Sequence, residues 1–183
     1  MAPADDYRRA GERTVAVIAG IQPHQMENRT PCDEWDVRAL VSHLVNSNLW
    51  LAAAVEGEGA EWDERSGEDP EADYRASVAA VQSAMRIEGA MEKLVATGMG
   101  ELPGAVLYTI AMTKQLLHGW DLAVATGQAT TLDPELVTAA DAFIRPAVES
   151  GAAAEAYAPP LSVEEGASAQ EKLLALVGRT PVT

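Results

Sequence analysis

The sequence predicts an all-α protein, a bundle of four main helices with long connections and a smaller helical piece at the C-terminal end. Three observations predict it. Apolar residues recur at helical spacing in several long windows. Three of these windows open on an aspartate, at Asp36, Asp69-Pro70 and Asp133-Pro134, which suits helix starts. The stretch 105–126, AVLYTIAMTKQLLHGWDLAVAT, reads as one long helix closed by Gly127.

Taken in order, Asp5 to Gln22 forms the first helix, with Tyr7, Ala10, Val17, Ile18 and Ile21 inward and Arg8, Arg9, Glu12 and Arg13 outward. HQMENRTPCDEW is a loop rich in turn-forming residues. Asp36 caps a second helix, Val37 to Val55, where Leu40, His43, Leu44, Ser47, Leu51 and Ala54 share a face. The acidic, glycine-bearing stretch from Gly57 to Asp69 is an exposed loop, with Trp62 either covering a pocket mouth or pinning the loop. A third helix runs from Pro70 to about Glu88 and buries Tyr74, Val78, Val81 and Met85. Ala90 to Gly104 is an irregular connection with a short extended piece at Lys93-Leu94-Val95. After the long helix, Pro134 to about Ser150 makes a fifth helix, bent or ended by Pro146. Ser168 to Val177 makes a short last one. No repeat is visible, and residues 1–183 are expected to form one domain.

Composition narrows the functional classes. The formal net charge is −15. Such a surface repels phosphate backbones and anionic lipid, so neither nucleic acid nor membrane is an expected partner. The single cysteine, Cys32, excludes an internal disulfide framework and fits a reducing compartment. MAPADDYRRAGERT carries no apolar run of the signal-peptide kind, and no apolar run reaches membrane-spanning length. The expectation is a soluble, cytoplasmic protein, a monomer or a homodimer, acting on a small molecule.

The candidate site follows from misfit residues on apolar faces. There are only three lysines against ten arginines, yet Lys114 sits in the middle of an apolar helix face. His118 lies one turn beyond it, and His43 points where leucines point on the second helix. These three are expected to floor a pocket between helices, as facing side chains do in bundles. The other reading is two satisfied core histidines, each donating to a backbone carbonyl. Neutral imidazoles on two helices also begin a site for zinc, nickel or iron. A third ligand one turn before His118 would complete it, but Lys114 stands there, and an ammonium has no lone pair.

TPCDEWDVRALVSHL, followed downstream by LLHGWDLAVATGQ, resembles the DinB-like superfamily. Within it the chain is similar to the mycothiol-dependent maleylpyruvate isomerase N-terminal-domain group of actinobacteria, and LLALVGRTP resembles the end of its short, stand-alone members. The resemblance implies a four-helix bundle, and in catalytic members a divalent metal such as zinc or nickel with a thiol cofactor such as mycothiol. It implies His43 and His118 as metal histidines, with Lys114 where an acidic residue or histidine would be the remaining ligand. Two chemistries therefore stay open. A metal could polarise a thiol or carbonyl for S-transfer or cis–trans isomerisation. Alternatively, Lys114 and a histidine perform metal-free acid–base work as an isomerase or cyclase. A non-catalytic binding or resistance protein that sequesters its ligand is the alternative to both.

Three readings apply to Lys114. It snorkels to the bundle end, or its ammonium replaces the metal charge between the imidazoles, or its lowered pKa makes it a base or Schiff-base amine. Asp121 either orients His118, ligates in its place, or braces a neighbouring helix. Gln115 is expected on a less buried face. Asn46, with Ser47, can supply hydrogen bonds to a ligand, and Trp50 a pocket wall. Trp35 and Trp120 are expected to pack. Cys32 is a buried thiol or a nucleophile, with no histidine placed near it by the sequence.

Overall fold

The computed structural model describes residues 3–32, 35–58, 69–98 and 100–181. Among them are six helices: α1 (Pro3–Ala19), α2 (Val37–Glu56), α3 (Pro70–Ala84), α4 (Gly104–Thr126), α5 (Pro134–Glu149) and α6 (Ala169–Leu176). A hairpin, β1 (Leu94–Thr97) and β2 (Gly100–Pro103), precedes α4. No described helix is long and apolar enough to cross a membrane. Most of the expected loop at 57–69, including Trp62, lies outside the described residues.

The helix starts follow local chemistry. The Asp36 side chain accepts from the Ala39 amide at 2.8 Å, and Asp69 accepts from Ala72 at 3.0 Å. Ser168 and Glu171 cap α6 reciprocally. Gly127 closes α4 with φ of 68°, a left-handed turn that suits a residue without Cβ. The expected boundaries hold to within a few residues, with two differences. α3 stops at Ala84, four residues early, and the chain then turns at Gly89. The supposedly irregular 90–104 connection contains an antiparallel pair, Leu94 opposite Pro103 and Thr97 opposite Gly100. Gly100, at φ of 102°, permits that reversal.

α4 is the central rod, packed against α1, α2 and α5. Leu116, Trp120, Leu122 and Ala123 are fully or almost fully buried along it. α1 approaches α4 closely because glycines face side chains at the crossing. A Cβ on Gly119 would stand 2.3 Å from the Thr14 hydroxyl oxygen. That hydroxyl donates to the Gln115 carbonyl at 3.0 Å, tying the two helices. α2 lies on another side of α4, so His43 and His118 face one another across this seam. α6 and the segment after it fold back on the bundle, and Gly178, at φ of 75°, turns the chain so that Arg179 enters the interior.

Candidate functional site

The α2–α4 seam holds the site. His43 and His118 meet edge to face, with ring centroids 5.5 Å apart and planes at 87°. Trp35, from the loop before α2, stacks on His43 at 4.2 Å and presents its edge to His118 at 5.8 Å. Thr30 holds that loop: its hydroxyl donates to the Cys32 and Trp35 carbonyls and accepts from the Cys32 amide. Trp35 was expected to pack, and what it packs on is the histidine pair.

Behind His118 stands a buried ion pair. Its Nδ1 lies 3.0 Å from Asp121 Oδ2. Asp121 is fully buried and accepts two bonds of 2.7 Å from Arg179, one from Nε and one from Nη2. This forked geometry is among the stronger hydrogen-bonded pairings. Burial alone would raise the Asp121 carboxyl, but the His118 and Arg179 contacts outweigh it and hold it low. Arg179 escaped the sequence reading, although it lies within the quoted LLALVGRTP. An arginine in an otherwise apolar closing stretch was the available signal.

The titration states follow from these surroundings. Burial, helped by the Lys114 and His118 charges, pushes His43 down to about 3. His118 is also lowered by burial, with Asp121 pulling partly the other way. Both rings are therefore neutral near pH 7. The Asp121 contact assigns the His118 proton to Nδ1 and leaves Nε2 as an acceptor.

Lys114 lies near enough to both imidazoles for its charge to help lower them. Its Nζ turns to the Ser47 hydroxyl, 3.2 Å away on α2. Burial lowers its pKa. It lines a small cavity of about 50 Å³ together with Ser47, Asn48, Trp50, Leu51 and Gln115. The cavity lies one helical turn along the seam from the histidine pair. Trp50 thus forms a cavity wall. His43, His118, Asp121 and Asn46 do not line it. Asn46 bonds back to the Ser42 carbonyl at 2.8 Å within its own helix. Gln115 corrects an expectation: it is 1% exposed rather than peripheral, and its Nε2 donates to Asn48 Oδ1. The α1–α4 contact buries it, and periodicity within α4 did not reveal that.

Cys32 is half-buried, and its sulfur, a His118 ring nitrogen and an Asp121 oxygen all lie within 4.8 Å of one another. The fold thus brings a histidine to a cysteine for which the sequence placed none.

A helical bundle with a histidine pair across one seam has a DinB-like fold, and comparison with known proteins agrees with that architecture. The sequence pattern of the mycothiol maleylpyruvate isomerase N-terminal domain matches residues 7–123, and the chain belongs to that family. Two uncharacterised proteins of Mycobacterium tuberculosis, from two strains, are each 31% identical to it over 188 residues, covering 98% of this chain and 99% of theirs. The crystal structure of a mycothiol-dependent maleylpyruvate isomerase superposes with TM-score 0.59 at 15% identity, over 75% of this chain. A histidine-to-alanine mutant of that isomerase gives 0.60 at 14%. This chain covers 65% of the length of those structures. At such identity the likeness establishes the shared helical fold.

The donors present do not fit the divalent metal that the family implies. The position one turn before His118 carries an ammonium bonded to Ser47. The carboxylate nearest His118 has both oxygens engaged by Arg179, and Oδ2 also contacts His118. A cation beside Asp121 would face that guanidinium. This applies equally to the Cys32–His118–Asp121 group, whose spacing alone would admit an ion. Two neutral imidazoles remain, fewer than the three protein ligands of an open catalytic site.

Proposed function

We propose that the protein is an enzyme acting on a small organic substrate by metal-free acid–base chemistry, an isomerisation through proton transfer beside a carbonyl. The observation that carries this reading is the pair of neutral imidazoles at 5.5 Å, one of them backed by Asp121–Arg179. His118 Nε2 takes the proton from carbon, and the resulting imidazolium gains the Asp121 charge on its other nitrogen. His43, too low in pKa to be a useful base, acts as a neutral N–H donor towards the developing enolate oxygen. His118 then returns the proton to a different carbon. Trp35 stacks on His43 and covers part of the pair, which limits the water beside these contacts.

Support for the isomerase class comes from the family match. The test is maleylpyruvate, the substrate named for the structural neighbour, offered with and without mycothiol in a chelating buffer. Turnover is followed by absorbance, and solvent deuterium incorporation by NMR. Thiol-independent deuterium exchange, faster than in buffer alone and lost in His118→Gln, is the expected result. Activity that appears only with added zinc and mycothiol overturns the metal-free scheme. Ligand binding unchanged in His118→Gln, with no turnover by either protein, favours sequestration instead.

A further inference from the structure

Lys114 presents its amine to a largely apolar cavity. An ammonium has three N–H donors and no acceptor. One of them reaches Ser47, and among the described residues no carboxylate lies within ion-pair distance. Asp121, a buried carboxylate two turns along the same helix, is neutralised by Arg179. The two adjacent imidazoles add no negative charge. Holding an ammonium against apolar walls with a single hydroxyl partner is unfavourable unless something compensates it. Leu44, Leu51, Leu107, Ile110 and Ala111 make up most of those walls.

We propose that this cavity is a binding site for a small carboxylate with a short apolar chain, whose carboxylate pairs with Lys114 Nζ and accepts from the Ser47 hydroxyl. The inference rests on the reading of the seam as a small-molecule site and adds the class of ligand. The donors suit a monoanion. There is one cation and one hydroxyl, and Lys114 lies mid-helix, away from the free amides of a helix N-terminus that phosphate binding exploits. The volume, about 50 Å³, and the leucine and isoleucine walls suit a chain of a few carbons. The walls that extend beyond Lys114 and Ser47 are Leu51, Leu107, Ile110 and Ala111, so the short chain of the ligand lies on the side away from His43 and His118. The family's charge preference is thereby inverted: where its catalytic members are expected to hold a cation, this chain presents one of its own and recruits an anion.

Sodium butyrate, butyramide and sodium sulfate are the probes, titrated into the full chain and read by ligand-observed NMR. Saturable butyrate binding is expected, at least tenfold weaker in Lys114→Met and largely retained in Lys114→Arg. Butyramide should bind at least tenfold more weakly than butyrate, and sulfate should not displace it. Equal binding of acid and amide, or undiminished butyrate binding by Lys114→Met, overturns the anion site but leaves the apolar pocket standing. Displacement by sulfate reduces the site to a bare anion locus and overturns the carboxylate assignment. No binding of either organic probe overturns both the inference and the pocket reading beneath it.

Discussion

Arg179 grips Asp121 with two hydrogen bonds of 2.7 Å across 58 residues of sequence, and Asp121 in turn contacts His118. The C-terminal segment, beyond the 7–123 span of the family pattern, therefore reaches the histidine pair. One partner is fully buried and the other 7% exposed. Removing either leaves an uncompensated interior charge. Arg179→Met should cost about 3–5 kcal/mol of stability in urea denaturation. Arg179→Met with Asp121→Leu should recover most of that loss, because the pair is replaced by apolar groups together. A single variant as stable as the parent would show the pair to be incidental.

Acid should weaken the fold through His43. Its pKa is about 3 in the folded chain against an ordinary 6.5. Between those values the unfolded chain binds a proton that the folded one refuses, so stability falls as pH drops from 6.5 towards 3. His118 is shifted the same way. Asp121, held below its usual 3.8, adds its loss only at still lower pH. Urea midpoints at pH 7, 5.5 and 4.5 should decline in the parent, and the decline should be shallower in His43→Gln. Parallel curves would contradict the assigned burial.

Trp35 shields His43 by stacking at 4.2 Å. Trp35→Ala should admit water and let the His43 pKa rise towards 6.5, with the helices intact by circular dichroism. Imidazole NMR titration reads this directly. An unmoved titration would assign the low value to the charges of Lys114 and His118 instead.

Lys114 should be a stability cost retained for binding. Lys114→Met replaces a poorly compensated cation with an apolar chain of similar length. It should raise stability by about 1–2 kcal/mol, the scale of burying an under-bonded polar group. A melting temperature below the parent's would mean that the Ser47 bond is structural.

Gly119→Ala tests the α1–α4 approach. The added carbon would lie 2.3 Å from the Thr14 hydroxyl oxygen. Overpacking of this kind costs about 1–3 kcal/mol. Thr14→Ser, which trims the neighbouring methyl but keeps the hydroxyl, should not relieve the clash, whereas Thr14→Ala should do so in part.

Helices, their starts and the central place of α4 were legible because they follow from local rules. Asp36, Asp69 and Ser168 are caps by chemistry, and burial follows a 3.6-residue period. The sequence alone also singled out His43, Lys114 and His118, since polar groups on apolar faces are visible in one dimension. Their partners were not. Trp35 on His43, Ser47 on Lys114, Cys32 beside His118 and Arg179 on Asp121 are choices made between elements. Gln115 shows the same limit, buried by a neighbouring helix that its own helix cannot predict. Spacing along one helix fixes which face a residue occupies. What meets that face depends on which segments pack there, and only the tertiary structure decides that.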